Sequence, residues 1–214
     1  GFDTAWDPGW GQAEVARRCE ARGARVQVRA VDLAAPTELQ AWLNELAVQP
    51  APDLAVLNAG VTSHIGAQGE GETWESVARV LDVNLKAAIA VTEALLPAMR
   101  ARGSGQLALI SSLSAYFGLP VTPTYCASKA ALKAYGEALR GWLGPEGIAV
   151  SVVMPGFVES AMSDQFPAPK PFMVSPQRAA RLIRRGLARD RARIAFPWLL
   201  RAGMWWLAVL PPGL

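Results

Sequence analysis

Histidine and cysteine are nearly absent from this sequence: it has one histidine, His64, and two cysteines, Cys19 and Cys126. These residues show no metal-ligand spacing, and two thiols make no disulfide framework, so no metal is expected and a reducing cytoplasm fits best. Charge is also sparse, at 18% of residues with a net +3. Its densest basic group is Arg181, Arg184, Arg185, Arg189, Arg191 and Arg193. That group falls at mostly helical spacing with no interleaved aromatics, so it reads as a solvated helix face and no nucleic-acid partner is expected. Long apolar runs are missing too. Gly1 to Gly11 contains Asp3, Asp7 and Pro8 and does not read as a signal peptide. Phe196 to Leu210 is apolar, but Pro197, Arg201 and Gly203 interrupt it, leaving it too short and broken for a transmembrane helix. There is no internal repeat, low-complexity tract or linker. The expectation is one domain over residues 1–214, with an atypical stretch at 1–11 and an apolar segment at 197–214.

Hydrophobic residues make up 51% of the chain, enough for a sizeable core. Short β-branched runs alternate with longer helical stretches, which predicts an α/β fold with a parallel sheet covered by helices. Strands are expected at Val26–Val31, Leu54–Leu57, Gln106–Ile110, Ile148–Val153 and Arg193–Phe196. Helices are expected from Pro36 to about Val48, from about Thr73 to Arg102, from Tyr125 to Leu143 and from Pro176 to about Ala188. Residues 162–175 are rich in proline and polar groups and read as a mobile loop. Parallel strands end on one edge of the sheet, where ligands bind. Asp32, Asn58 to Gly60, Ser111-Ser112 and Pro155-Gly156 each follow a strand, so four sets of small or polar residues converge on that edge.

Tyr125 and Lys129 are four residues apart near the start of a helix, which stacks them on one face. Ser112 ends the preceding strand. A phenol with a pKa of about 10 is a poor base near neutrality, and a neighbouring ammonium favours its phenolate. A serine hydroxyl nearby would hold a substrate oxygen, and the trio would pass a proton to or from it.

Asn58-Ala59-Gly60, Asn84, Ser111-Ser112, Tyr125-Cys126-Ala127-Ser128-Lys129 and Pro155-Gly156-Phe157-Val158-Glu159-Ser160 stand in register. Together they resemble the short-chain dehydrogenase/reductase family over roughly residues 12–196. A lone Tyr-x-x-x-Lys is weak, whereas five motifs in order are specific. The resemblance implies a Rossmann-like, doubly wound parallel sheet in a single domain. It also implies Tyr125 as general acid/base and Lys129 lowering its pKa and hydrogen-bonding the nicotinamide ribose. Ser112 would orient the substrate oxygen, and the backbone of Asn84 would help hold a water in a proton relay. Asp32 would contact the adenine. Asn58, Ala59 and Gly60 would line the cofactor. Pro155, Gly156 and Val158 would sit by the nicotinamide, with Ser160 at the carboxamide.

The family begins with a strand, a glycine-rich turn, a helix and a second strand. Thr4-Ala5-Trp6-Asp7-Pro8-Gly9-Trp10-Gly11 is only faintly like that turn, and no apolar strand precedes it. Gln12 to Gly23 reads as the helix that follows the second strand. An incomplete or altered strand–helix–strand unit is therefore expected, and with it the loss of the backbone N–H cradle for a pyrophosphate.

The function implied is an NAD(P)-dependent oxidoreductase of the EC 1.1.1 type, acting on a small or apolar alcohol/ketone. The cofactor is NAD or NADP. The helices at 73–102 and 125–143 resemble those that pair subunits in the family, so a homodimer or homotetramer is expected. The alternative is a catalytically silent binding or scaffold protein without the phosphate-binding glycine turn. Ser111 reads as structural, Cys126 as a small packed residue and His64 as a loop residue. Ser114 and Tyr116 either touch substrate or pack a loop. Met162, Phe166, Phe172 and Met173 either line an apolar substrate pocket or anchor the loop. Trp198, Trp205 and Trp206 admit three readings: core or dimer packing, a pocket wall, or peripheral membrane contact.

Overall fold

The computed structural model describes residues 12–66 and 68–210. In chain order these form α1 (Gln12–Glu20), α2 (Pro36–Ala47), β1 (Leu54–Leu57), α3 (Trp74–Leu81), α4 (Ala87–Arg102), β2 (Gly105–Ile110), α5 (Pro123–Leu143), β3 (Ile148–Pro155), α6 (Ala161–Asp164), α7 (Pro176–Leu187), β4 (Arg193–Phe196) and α8 (Trp198–Val209). Among the described residues one sheet forms, ordered β1-β2-β3-β4, with every pairing parallel. Parallel strands need helical crossovers, and these cover both faces, giving the doubly wound Rossmann-like fold.

Ala55, Leu107 and Val150 are register partners and share one face. They pack with Leu43 of α2, Leu95 of α4, and Leu132 and Leu139 of α5. On the opposite face Ala108, Val153 and Ile194 meet Ala179 and Leu187 of α7. Leu113, Val152, Met154 and Met204 form a third cluster that seats α8. Gly136 brings α5 close to the sheet. A Cβ there would lie 2.6 Å from both Leu109 Cδ1 and Val152 Cγ2. The arginines of α7, Arg178, Arg181, Arg184 and Arg185, are exposed, as a solvated face requires.

The structure corrects one strand. Residues Val26–Val31 join no ladder among the described residues, and Val28 is exposed. Local alternation favours a strand, but a strand also needs a neighbour to take its backbone hydrogen bonds. None is described between this stretch and β1. On the face opposite α4 and α5, Val56 of β1 is 48% exposed, so the α7 side of the sheet is uncovered there.

One helix and one loop also differ in detail. The expected run over 73–102 is α3 and α4 joined by a π turn, Asp82–Lys86, with Asn84 at its centre. Thr73 caps it by accepting from the Ser76 N–H. The loop over 162–175 opens with α6, and a parallel bridge between Val158 and Val174 closes its base. The faint glycine-turn likeness at Thr4–Gly11 lies outside the described residues.

Candidate active site

The segments that follow β1, β2 and β3 meet at the carboxyl edge of the sheet. The fourth set, Asp32, has no strand behind it. Instead its side chain accepts from the Ala34 N–H (2.9 Å), its own N–H donates to Glu38 (3.0 Å), and it lies 3.9 Å from Arg79. It braces the loop entering α2.

After β2, Ser111 is buried and its hydroxyl donates to the carbonyl of Lys129 (2.7 Å). Ser112 Oγ accepts from the Ser114 N–H (3.2 Å), starting the short 3-10 turn Leu113–Ala115, and is hydrogen-bonded to the Tyr125 side chain. Pro123 opens α5, where a missing N–H costs nothing. The helix then carries Tyr125 and Lys129 on one face, with Lys129 Nζ 5.6 Å from the Tyr125 ring centre. Cys126, on a different face, is buried and its sulfur accepts from the Leu119 N–H. Ser112, Tyr125 and Lys129 are thus brought together.

Their electrostatics differ from the expectation in one respect. Lys129 is 4% exposed and its ammonium donates to the Ile110 carbonyl (2.8 Å). Burial pushes its pKa down to about 8. Desolvation pushes the Tyr125 hydroxyl above its ordinary value, against the opposing hydrogen bond from Ser112. Burial therefore outweighs any pull toward the phenolate, and Tyr125 rests as a neutral phenol.

Lys129 also makes a stability prediction. Its folded pKa lies below the unfolded value, so the unfolded chain holds more protons between the two. The penalty for burying the ammonium is present below about pH 8 and is relieved as pH rises toward 10. The wild type should gain on the order of 2 kcal/mol relative to Lys129→Met across that window. Paired urea titrations at several pH values check this, and parallel pH profiles for the two proteins contradict it.

Asn84 is fully buried. Its Oδ1 accepts from the Val61 N–H (2.8 Å), and its Nδ2 donates to the Val61 carbonyl (2.9 Å) and to Ser128 Oγ (3.1 Å). Ser128 in turn donates to the Tyr125 carbonyl (2.7 Å). The amide therefore ties the loop after β1 to the first turn of α5. Within that loop Asn58 and Ala59 are exposed. A Cβ on Gly60 would stand 3.3 Å from Lys129 Nζ and 3.4 Å from Asn84 Oδ1. Glycine lets the loop lie against both.

Glu72 is a residue that sequence reasoning missed. It accepts from the Thr124 N–H (3.1 Å), the Thr124 hydroxyl (2.5 Å) and the Ser63 hydroxyl. Burial pushes its carboxyl up, but these hydrogen bonds prevail and hold it below the usual range. A carboxylate at the N-terminus of α5 also complements the helix dipole. No local pattern marks Glu72, because its partner is 52 positions away.

Beyond β3 the residues are partly committed elsewhere. Pro155 ends the strand. The Gly156 N–H donates to the Phe196 carbonyl (2.7 Å), and a Cβ on Gly156 would come within 2.7 Å of Leu200 of α8. Packing of α8 therefore accounts for this glycine. Val158 bridges Val174, and its carbonyl accepts from Ser160 Oγ (3.1 Å). Ser160 Oγ also caps α6 by accepting from the Ser163 N–H. His64 packs edge-on to Phe166, with ring centres 6.5 Å apart, and Phe166 lies 5.1 Å from Phe157. Both ring nitrogens of His64, and the Ser114 hydroxyl, are buried without a hydrogen-bond partner among the described residues. Ile65 donates its N–H to Val121 and Ser63 is held by Glu72, so His64 sits between two anchors to the start of α5.

A nicotinamide nucleotide is the group this fold family implies, and the residues fit one end of it. Asn58 and Ala59 stand exposed at the carboxyl end of β1, and Gly60 brings that loop against Lys129. The Tyr125 hydroxyl is hydrogen-bonded to Ser112, and the Lys129 ammonium lies 5.6 Å from the Tyr125 ring centre. No glycine-rich turn lies among the described residues to face the phosphates.

A family model described as short chain dehydrogenase matches residues 10–170. An uncharacterized oxidoreductase of Myxococcus xanthus is 36% identical over 200 residues, 92% of this chain and 78% of the relative. An uncharacterized oxidoreductase of Mycobacterium tuberculosis is 37% identical over 169 residues, 76% of this chain and 64% of the relative. The chain thus spans less than two thirds of that second protein. Among solved structures, a short-chain dehydrogenase from Sphingobium yanoikuyae in complex with NADPH superposes with a TM-score of 0.79. It is 21% identical, with 94% of this chain and 83% of that one covered.

Proposed function

Because the chain belongs to the short-chain dehydrogenase family, we propose that it is an NAD(P)-dependent oxidoreductase interconverting a hydroxyl and a carbonyl group, with Tyr125 as general acid/base. The observation that carries this reading is the joining of Ser112, Tyr125 and Lys129 at the carboxyl edge of the sheet. When bound, the nicotinamide supplies or accepts the hydride. Lys129 would hold its ribose, and Asn58, Ala59 and Gly60 would line it. Pro155, Gly156, Val158 and Ser160 would flank the ring, each through backbone or packing rather than a free side chain. The Ser112 hydroxyl would hold the substrate oxygen while the neutral Tyr125 hydroxyl donates a proton to it in the reducing direction. Asn84 and Glu72 would position these groups from either side. Asp32 remains the candidate for the adenine.

The substrate best suited to the site is a small or apolar alcohol/ketone, for which Phe157 and Phe166 supply apolar surface. Assembly as a homodimer or homotetramer would use α4 and α5. The free thiols Cys19 and Cys126 suit a reducing compartment such as the cytoplasm.

Titrating NADPH and NADH into the 214-residue chain while following nicotinamide fluorescence tests the reading. Saturable enhancement with either is expected. A folded protein that binds neither would favour the silent binding or scaffold role, since the described residues hold no phosphate cradle.

A further inference from the structure

α8 runs beside β4, on the sheet edge opposite β1, and only Met204 is buried, with Leu200 packed behind it. Trp198, Leu199, Trp205, Trp206 and Val209 are all exposed, with the three indoles at 71%, 49% and 59%. At helical spacing these five fall on one outward stripe about 120° wide. Arg201 stands at its border, exposed and in no ion pair among the described residues. Residues 191–214 contain three arginines and no acidic residue, and of these Arg193 is paired with Glu137, which leaves Arg201 as the charge on α8 itself.

We propose that this stripe is a docking surface for an anionic phospholipid bilayer, on which α8 lies flat. Three features favour lipid over protein. Indoles suit the headgroup boundary, where the ring is buried and its N–H stays among polar groups. Arg201 can reach lipid phosphate from the border of the stripe while its stem stays apolar. A second copy of the same helix would bring another arginine and no carboxylate to pair it. No helix among the described residues is long and apolar enough to cross a membrane.

Co-flotation of the full chain with phosphatidylcholine vesicles, with and without phosphatidylglycerol, tests this. Binding to the phosphatidylglycerol vesicles is expected, at least about ten-fold stronger than to phosphatidylcholine alone. Replacing Trp205→Glu and Trp206→Glu together should lower it by a similar factor of about ten or more. Arg201→Gln should weaken the preference for the anionic vesicles. Trp74→Glu, at an equally exposed indole on α3, should leave binding unchanged. Circular dichroism establishes that each variant is folded. Absence of binding by the folded wild type overturns the proposal, as does equal binding by the double tryptophan variant. A fall in molar mass on replacing Trp205 and Trp206, read by light scattering without vesicles, also overturns it, because the stripe would then cover a second copy.

Discussion

Replacing Tyr125 with phenylalanine should lower kcat for carbonyl reduction by about a thousand-fold or more, the scale expected when a positioned acid is removed. The substitution deletes one oxygen and keeps the ring. It removes the hydrogen bond to Ser112 but leaves Lys129 on the Ile110 carbonyl and Asn84 on Val61. The variant should therefore stay folded, with stability within about 1 kcal/mol of the wild type, and should still bind NADPH or NADH. Steady-state turnover on a ketone panel, together with the nicotinamide titration, separates the two effects. Undiminished kcat would remove Tyr125 from the chemistry, whereas lost binding would make its role structural.

The same residue sets a pH dependence. Desolvation holds the Tyr125 hydroxyl above its ordinary value, so the proton needed for reduction is present throughout neutral pH. Reduction should be flat there and fall only on the alkaline side. Oxidation needs the phenolate and should climb over the same alkaline range. Lys129 modulates this, since it loses its charge as pH passes about 8 and can no longer favour the phenolate above that point.

The elements that came through from the sequence are those whose cause is local. Leu54–Leu57 is a short aliphatic run between Asp53 and Asn58, Arg193–Phe196 is a short run stopped by Pro197, and their limits are those expected. Ser112, Tyr125 and Lys129 were legible because helical spacing and the strand before it are enough to stack them. Val26–Val31 failed because its alternation specifies a strand but not a partner for it. Asp32 was misplaced with it, and became a loop brace rather than a residue at the end of a strand. Gly156 shows a different limit. A glycine after a strand suggests close approach of a ligand, yet the atoms that would collide with its Cβ belong to Leu200, Pro197 and Leu113. Glu72 was invisible for the same reason that it matters, because it joins two segments that only the fold brings together.

Asn84 should produce the largest loss of stability. Its amide satisfies the N–H and carbonyl of Val61 and pairs with Ser128, all in a fully buried position inside a π turn. Asn84→Leu fills similar volume but leaves both backbone groups of Val61 without partners. Each stranded group costs about 1–3 kcal/mol, so a destabilisation of about 4 kcal/mol is expected. Function should suffer beyond what unfolding explains. Gly60 lies against Asn84 and Lys129, so a shifted loop disturbs the edge proposed to line the nucleotide, and nucleotide affinity should fall even in the fraction that remains folded. Asn84→Asp separates hydrogen bonding from volume. The carboxylate keeps the acceptor for the Val61 N–H but sets an oxygen against the Val61 carbonyl. Burial and that repulsion raise its folded pKa against the opposing pull of the Lys129 ammonium across Gly60; with the first two prevailing, the protonated form, which restores a donor, persists in the native state. With the folded value above the unfolded one, stability is present at acidic pH and is lost as pH rises through the folded pKa. Denaturant midpoints for Asn84→Asp, referenced to the wild type at each pH, should therefore decline from mildly acidic to neutral conditions. A pH-independent difference would mean that the amide only fills space.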